Sequence, residues 1–417
     1  MRYAAQKGTR DILPAEIYKW HKAERVFADV CHDFGYEEIR IPTFEQTDLF
    51  QRGVGDTTDV VTKEMYTFND KGGRSITLRP EGTAGVVRSY IENGMASLPS
   101  PVRMFYSITA FRYEKMQKGR MREFHQFGLE AFGSEGPAID AEIISVVDVF
   151  FKKIGLKNIK LCINSIGCPA CRNKYNEMLK DYFRPHVSTM CEDCRARIEK
   201  NPLRMIDCKI DGGKEVVQNA PRLIDYLCED CKAHFETLKN KLDAVGIKYE
   251  IDPNIVRGLD YYTRTVFEFV SENVGTQGTI CGGGRYDGLV ENCGGAPTPG
   301  IGFAMGVERL LLEAEAQGIE FEKNDSVKIY LAGMSDAANE KIAKICYELR
   351  INGIGCETDL MNRSFKAQMK YAGKSGIPYL AVIGDDELAS GKVNIKKMDD
   401  GSQTEVELDK IIDFLKR

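Results

Sequence analysis

Beyond residue 326 the chain settles into a regular alternation that restricts its fold more than any other feature. Val327 to Ala332 reads as a strand, Asp336 to Asn352 as a helix, and Gly355 to Thr358 as a strand. Ser364 to Lys374 then reads as a helix and Tyr379 to Gly384 as a strand, with two further strands and a helix over Leu408 to Lys416. Strands spaced by helices need crossover connections, so this stretch is expected to be a small α/β domain with a mostly parallel or mixed sheet. The polar run Glu322-Lys-Asn-Asp-Ser326 marks a linker before it. At 417 residues the chain exceeds one ordinary core, so residues 1–324 are expected to form a larger first domain and 325–417 a second.

The first domain mixes helix and strand. Ile17 to Phe34 has helical apolar spacing and ends on Gly35, a natural helix stop. Glu38-Ile39-Arg40-Ile41-Pro42 reads as a short strand closed by proline. Thr77 to Thr83 reads as a strand entering a turn, followed by a helix over Ala84 to Ile91. Between about 165 and 245 the sequence becomes charged and helical and holds seven of the thirteen cysteines, as an insertion would. Strand and glycine-rich sequence resumes at Tyr249-Glu-Ile251 and runs through Gly282-Gly-Gly-Arg285 to a helix near Val307 to Ala316.

Composition narrows the setting. Apolar residues at 43% and charged residues at 29% indicate a globular chain without the roughly 18-residue apolar run of a membrane helix. The N-terminus has no apolar signal core, so a cytoplasmic setting is expected, with cysteines kept as reduced thiols. A net charge of −5 argues against a bulk basic footprint for nucleic acid but leaves room for local basic patches.

Three segments could carry chemistry. In Phe111-Arg112-Tyr-Glu114 through Phe124-His-Gln126-Phe-Gly-Leu-Glu130, two strands flank a loop carrying Lys115, Lys118, Arg120 and Arg122. Phe124, Gln126, Gly128 and Glu130 share parity and point to one face, while Phe127, Leu129 and Ala131 suit a packed opposite face. An aromatic ring, an amide and a carboxylate in line suit a nucleobase or small polar ligand; the same pattern also fits a solvated hairpin. Arg257-Gly-Leu-Asp260-Tyr261-Tyr262-Thr-Arg264-Thr places cations and phenols ahead of the alternating strand Val266 to Val270. Gly300-Ile-Gly302-Phe-Ala304-Met-Gly306-Val-Glu308-Arg309 is a glycine-spaced strand entering a helix, with room for a planar ligand. The Gly-x-x-x-x-Gly-Lys-Ser/Thr phosphate loop is absent.

Together these segments resemble the motifs of class II aminoacyl-tRNA synthetases, namely Phe-Arg-x-Glu at Phe111–Glu114 and a glycine-spaced run ending in Glu308-Arg309. Arg257-Gly-Leu-Asp-Tyr-Tyr, Gly8-Thr-Arg-Asp-Ile-Leu-Pro14 and Leu78-Arg-Pro-Glu-Gly-Thr83 narrow the resemblance to the histidyl-tRNA synthetase family, over nearly the whole chain. It implies an α+β catalytic core built on an antiparallel sheet, with a helical insertion and a C-terminal α/β anticodon-binding domain. It implies a ligase that joins histidine to ATP as histidyl-adenylate, releases pyrophosphate, and passes histidine to the 3′ end of tRNA(His). Arg112 would hold the α-phosphate and the amino-acid carboxylate, and Phe124 and Arg309 would sandwich adenine. Glu114 and Arg120 would complete the ATP site. Glu81, Thr83 and Gln126 would take the α-amino group. Glu130 and Tyr262 would address the two imidazole nitrogens, with Tyr261 and Tyr286 beside them. Arg257 would neutralise the α-phosphate, and Mg²⁺ would accompany the β- and γ-phosphates. A homodimer is implied, with Ile39 to Glu45 matching the family's interface motif.

Other signals stay open. Cys168-Pro-Ala-Cys171, Cys191-Glu-Asp-Cys194 and Cys228-Glu-Asp-Cys231, with Cys208, have zinc-ligand spacing. Three pairs and a remainder do not resolve into one four-ligand site, and the resembled family does not generally require zinc, so the sequence assigns no metal. Arg363, Lys366, Lys370 and Lys374 recur at three-and-four spacing beside Phe365 and Tyr371. That face is read either as a tRNA contact or as an ordinary solvated surface. His125 has parity opposite to Phe124 and Gln126, which suits a packed or surface position rather than chemistry. A rival function is the synthetase-like histidine sensor that regulates ATP phosphoribosyltransferase. Such relatives usually lack the terminal domain and have eroded ATP motifs, whereas Arg112, Glu114, Arg257 and Arg309 all stand here.

Overall fold

The computed structural model describes residues 3–416 apart from 56, 57, 59, 207, 209, 256, 258, 260, 274–277 and 324–326. The chain divides into two compact units, Met1–Phe321 and Glu322–Arg417. Gly258 and Asp260 of the arginine-tyrosine segment, and the end of the expected linker, lie outside the described residues.

In the first unit, helix α1 (Ile17–Asp33) buries Trp20, Val26, Phe27 and Val30 in one stripe. Gly35 follows in left-handed backbone (φ 75°), the conformation that suits glycine after a helix. Strand β1 (Glu37–Glu38) is shorter than the strand expected over Glu38–Pro42. The Arg79 guanidinium supplies the reason: it captures the carbonyls of Ile41 and Pro42 at 2.6 and 3.1 Å and draws them away from strand pairing. Next come β2 (Phe44–Gln46), α2 (Thr47–Val54), β3 (Tyr66–Asn69) and β4 (Ser75–Leu78), and the three strands form a small antiparallel sheet. Helix α3 (Thr83–Glu92) follows the turn after β4.

Strands β5 (Val102–Phe111) and β6 (Glu123–Phe132) are the two arms of the expected hairpin, paired antiparallel from Val102 opposite Phe132 to Phe111 opposite Glu123. Then come α4 (Pro137–Ile154) and β7 (Lys160–Ser165). The cysteine-rich insertion is helical: α5 (Pro169–Phe183), α6 (Glu192–Arg197), α7 (Glu215–Gln218) and α8 (Glu229–Ala244), with short 3₁₀ turns between. Strands β8 (Glu250–Ile251), β9 (Thr263–Val270) and β10 (Thr279–Arg285), helix α9 (Leu289–Asn292), strand β11 (Gly300–Gly306) and helix α10 (Val307–Ala316) complete the unit.

One eight-stranded sheet organises it, in the order β1-β5-β6-β11-β10-β9-β7-β8. Its inner six strands run antiparallel, and β1 and β8 add parallel edges. Side-chain parity separates its faces. Phe105, Phe127, Leu129, Phe267 and Phe303 join α1 and α4 in the main core, where the Phe27 and Phe127 rings stack 4.6 Å apart. Tyr106, Tyr262 and Tyr286 lie in a second cluster with apolar residues of the insertion.

A buried ionic knot fixes the insertion to this sheet. Asp140 of α4 accepts from Arg285 Nε at 2.9 Å and Thr265 Oγ1 at 2.6 Å, and pairs with His234 Nε2 of α8 at 2.8 Å. Burial alone would raise the Asp140 pKa; His234, Arg285 and Thr265 overcome it and hold the carboxyl below its usual range. Breaking such a pair costs about 3–5 kcal/mol, since the other charge is left buried.

The second unit comprises β12 (Val327–Gly333), α11 (Asp336–Ile351), β13 (Gly355–Thr358), α12 (Phe365–Ser375), β14 (Tyr379–Ile383), α13 (Asp385–Ser390), β15 (Lys392–Lys397), β16 (Gln403–Glu407) and α14 (Ile411–Leu415). Its strand order is β13-β12-β14-β15-β16: three parallel strands followed by two antiparallel additions. Helix α13 was not expected from the alternation; Glu387 Oε2 accepts the Gly384 N–H at 2.8 Å and caps it. The expected final helix begins as a 3₁₀ turn over Leu408–Lys410.

Candidate active site

The face of the large sheet turned away from α1 gathers the polar residues singled out by parity. Glu130 of β6 is fully buried. Its Oε1 accepts from Thr83 Oγ1 at 2.7 Å and from Tyr106 Oη at 3.1 Å, and its Oε2 accepts from Tyr286 Oη. Burial pushes this carboxyl up to about 8 despite the hydrogen bonds from Tyr286, Thr83 and Tyr106. Two glycines make the arrangement sterically feasible. A β-carbon at Gly302 would strike the Glu130 carboxylate, and one at Gly128 would strike the Tyr106 ring. The space expected at Gly302 for a planar ligand is therefore filled by the site's own carboxylate.

Glu81 lies at the start of α3, where its two oxygens accept from the backbone N–H of Thr83 at 2.6 Å and Ala84 at 2.9 Å. Burial raises its pKa, while those N–H donors and the nearby Arg112 charge pull the other way. Gln126 presents a buried Oε1 with no hydrogen-bond partner among the described residues. A buried acceptor in that state is open to a donor from a bound water or a ligand.

Tyr261 and Tyr262 pack ring to ring at 4.6 Å, and Tyr261 meets Tyr286 edge-on at 5.7 Å. Burial raises all three phenols, so they remain protonated donors. Tyr262 is not bonded to Glu130; Tyr286, Thr83 and Tyr106 take that carboxylate, and the Arg257 guanidinium lies 5.7 Å from the Tyr262 ring centre. Arg257 itself pairs with Glu268 of β9, which also accepts from Thr279 Oγ1 at 2.7 Å.

Arg112 donates through Nε to the Pro80 carbonyl at 2.8 Å, and its guanidinium stands 5.5 Å from the Phe124 ring centre. Arg120 pairs with Glu114 at 3.0 Å. Arg309 donates to the carbonyls of Thr279 at 2.6 Å and Gly119 at 3.4 Å. Its pKa is lowered by burial and by the Arg120 charge, with Glu114 and Glu268 opposing. A string of mutual contacts thus runs from Glu81 and Glu130 through the tyrosines to Arg257, Glu268 and Arg309, with two buried carboxyl groups at one end and guanidinium groups at the other.

A model of the family described as histidyl-tRNA synthetase matches residues 8–310, and one described as anticodon binding domain matches residues 327–417. The chain belongs to the histidyl-tRNA synthetase family. The histidine–tRNA ligase of Acetivibrio thermocellus is 64% identical over 99% of both chains. The apo histidyl-tRNA synthetase of S. aureus superposes with a TM-score of 0.86 at 42% identity over 100% of both chains. A Bacillus halodurans structure, titled as an ATP phosphoribosyltransferase regulatory subunit/histidyl-tRNA synthetase, gives a TM-score of 0.65 at 20% identity. It covers 92% of this chain and 99% of its own, and at that identity it reports the fold alone. Membership in the synthetase family, together with a matched anticodon-binding domain, weighs against the sensor alternative.

Several residues that shape this family site escaped the sequence reading. Tyr106 reaches Glu130 because Gly128, its partner across β5 and β6, has no side chain; a glycine opposite an inward tyrosine was the available signal. Glu268 was visible as the one carboxylate within the apolar strand Thr263–Val270. Arg172 and Arg204 of the insertion donate to the carbonyls of Tyr262 and Arg257, at 2.8 and 2.9 Å. No local pattern announces such long-range contacts. His125 is placed as expected: it pairs with Glu308 at 2.9 Å and lies edge-on to Trp20 at 4.8 Å, a packing role.

One reading needs correction. Arg363 lies before α12 rather than on it, paired with Asp359 at 3.2 Å and 4.7 Å from the Tyr371 ring centre. Lys366, Lys370 and Lys374 do share the exposed side of α12, opposite buried Gln368 and Ala372. The insertion's cysteines, which resolved into no single four-ligand set, form two: Cys168, Cys171, Cys228 and Cys231, and Cys191, Cys194, Cys208 and Asp211.

Proposed function

We propose that the chain is a histidine–tRNA ligase in which the Glu130 pocket selects histidine and the arginines around it drive adenylation. The observation that carries this reading is a fully buried carboxylate encircled by hydroxyl donors, beside the unpartnered Gln126 acceptor. Histidine brings what these groups lack. Its α-ammonium donates to Glu81 and Gln126, with Thr83 beside them. Its imidazole N–H faces Glu130, while Tyr262 satisfies the second ring nitrogen, with Tyr261 and Tyr286 closing the wall. An apolar side chain would leave buried polar groups unpaired, which rejects it strongly without editing.

The second substrate is ATP. Phe124 and Arg309 take the adenine between them, and Glu114 with Arg120 borders it. Arg112 reaches both the histidine carboxylate and the α-phosphate. The carboxylate oxygen attacks the α-phosphorus, forming the acyl–phosphate bond while the α,β-bridging P–O bond breaks and pyrophosphate leaves. Negative charge gathers on the non-bridging oxygens, where Arg112 and Arg257 oppose it with fixed cations. Glu114 and Glu268 are each already paired with an arginine, so Mg²⁺ enters with ATP as part of the substrate rather than in a carboxylate cage. The terminal ribose hydroxyl of tRNA(His) then attacks the adenylate carbonyl, forming the ester and releasing AMP.

The remaining assignments follow from the same reading. The second unit binds the anticodon region, with Lys366, Lys370, Lys374 and Arg363 against the RNA backbone. Among the described residues the three lysines have no carboxylate partner, and Phe365 and Tyr371 are exposed among them. Reversing Lys366 and Lys370 to glutamate should weaken tRNA(His) binding about tenfold or more and flatten its salt dependence, with adenylation unchanged. Unaltered affinity by filter binding across a salt series would remove the contact. A homodimer forms through Ile39 to Glu45, where Pro42, Glu45, Gln46 and Arg88 line a cleft of about 460 Å³ and Phe44 is half exposed. The enzyme works in the cytoplasm; among the described residues no helix is long and apolar enough to cross a membrane. Histidine-dependent exchange of pyrophosphate into ATP tests the whole proposal, and purified protein that supports no exchange would overturn it.

A further inference from the structure

We infer that the insertion carries two structural zinc sites. The first joins two helix starts: Cys168 caps α5 with Cys171 in its first turn, and Cys228 caps α8 with Cys231 in its first turn. Cys168 Sγ lies 3.6 Å from Cys171 Sγ and 4.0 Å from Cys228 Sγ. The second is formed by Cys191, which caps α6, Cys194 within α6, and Cys208 with Asp211 in the turn that follows; Cys191 and Cys208 Sγ are 3.7 Å apart. In each group the four ligand atoms all lie within 4.8 Å of one another.

These distances decide the chemistry. A disulfide needs about 2.05 Å between sulfurs, and all thirteen cysteines are free. Four thiolates about 2.3 Å from one tetrahedral ion lie about 3.8 Å apart, and the sulfur separations of 3.6, 3.7 and 4.0 Å bracket that value. Thiolate-rich tetrahedral sets select zinc among common divalent ions. The surroundings fit as well. The Cys228 N–H points at Cys171 Sγ at 3.1 Å, while the Cys194 and Asp211 N–H groups point at Cys191 and Cys208 Sγ at 3.4 Å each. Such donors and two facing helix N-termini stabilise the excess negative charge of a thiolate site. At Asp211, Oδ2 accepts the Cys191 N–H at 2.7 Å and Oδ1 pairs with Lys214 at 2.7 Å, so both oxygens are oriented by neighbours and the carboxylate is held where it completes the set.

The region also needs a staple. Helices α6 and α7 have six and four residues, too short to hold themselves. Each site steadies an arginine that reaches the candidate active site: Arg172 follows Cys171 and bonds the Tyr262 carbonyl, and Arg204 precedes Cys208 and bonds the Arg257 carbonyl. Ile166 and Gly167, just before the first site, also exchange backbone hydrogen bonds with Arg264, at 2.8 and 2.9 Å. The two metals would thus brace the arginine-tyrosine segment from behind.

Metal analysis of the full-length protein, purified without chelator from zinc-supplemented culture, tests this without any activity assay. About two zinc ions per chain are expected. Cys228→Ser, which alters an exposed ligand, should leave about one and lower the thermal midpoint by several degrees; Asp211→Ala should likewise leave about one. Reduced, metal-stripped protein should bind cobalt(II) with the intense sulfur-to-metal absorption of tetrahedral thiolate sites. Fewer than about 0.3 zinc per chain with no cobalt spectrum would overturn both sites. Iron in place of zinc would overturn the metal assigned, and a Cys228→Ser protein that keeps two zinc ions would overturn the first ligand set.

Discussion

Glu130→Gln is expected to lower histidine-dependent pyrophosphate exchange by about a thousandfold at neutral pH, with most of the loss in the histidine KM. Truncating one partner of a buried hydrogen-bonded charge pair costs about 2–5 kcal/mol, and a thousandfold corresponds to about 4. Glutamine matches the size of glutamate: its one oxygen can still accept from Thr83 and Tyr106, and its NH2 can donate to the Tyr286 hydroxyl oxygen, so the pocket should survive. What disappears is a carboxyl that can trade its proton with an imidazole. The same substitution carries a stability signature. In the empty protein the Glu130 carboxyl is pushed up to about 8 from 4.5, burial being the main cause. The folded state therefore holds a proton that the unfolded chain releases above pH 4.5, and stability falls as pH rises from about 4.5 to about 8. The span amounts to about 5 kcal/mol at most. Thermal midpoints of unliganded protein between pH 5.5 and 8.5 should decline for the parent and decline less for Glu130→Gln. Identical slopes would show that other groups carry the pH dependence.

Arg257→Ala should slow adenylate formation by about a hundredfold to a thousandfold, the usual cost of one preorganised donor at developing charge, and leave histidine affinity within a few fold. Tyr262→Phe should do the opposite, raising the histidine KM by about tenfold through one lost hydrogen bond while sparing the rate at saturation. The alanine substitution removes the guanidinium without adding a backbone cost, and it leaves Glu268 without its arginine partner. Arg257 already sits in left-handed backbone (φ 58°), so alanine inherits a strain that is present anyway, and Arg204 still holds the carbonyl. Because the Arg257 guanidinium lies 5.7 Å from the Tyr262 ring centre, the double substitution should fall short of additivity. Rapid-quench measurement of adenylate, set beside equilibrium histidine binding, separates the two effects. Equal losses of histidine affinity in both single variants would contradict the division of labour.

The sequence made some of this legible and hid the rest for physical reasons. Parity placed Phe127, Leu129 and Ala131 in the core and Gln126 and Glu130 on the other face, because a strand has no other way to distribute its side chains. Helix α10 was read with its observed limits, since a glycine-spaced strand running into an amphipathic stretch leaves little choice. The partners of Glu130 and Arg257 were read less well. Tyr106, Arg172 and Arg204 reach the site from distant segments, and only the folded chain puts them there. The cysteines show the same limit. Counting CxxC pairs along the chain leaves one over, whereas the fold joins pairs about sixty residues apart and recruits Asp211, which no motif flagged. The shortened β1 has an equally remote cause, the Arg79 side chain taking carbonyls that a longer strand would have used.

The close approach of the Glu130 carboxylate to Gly302 bears on inhibitor resistance. A compound mimicking the histidine side chain in the proposed pocket would press on a wall where one position has no tolerated alternative, because any β-carbon at Gly302 displaces the Glu130 carboxyl. If the Glu130 pocket holds histidine as proposed, narrowing it there would cost the cell its own substrate recognition, so resistant variants are expected at the tyrosine side of the pocket, with this strand unchanged.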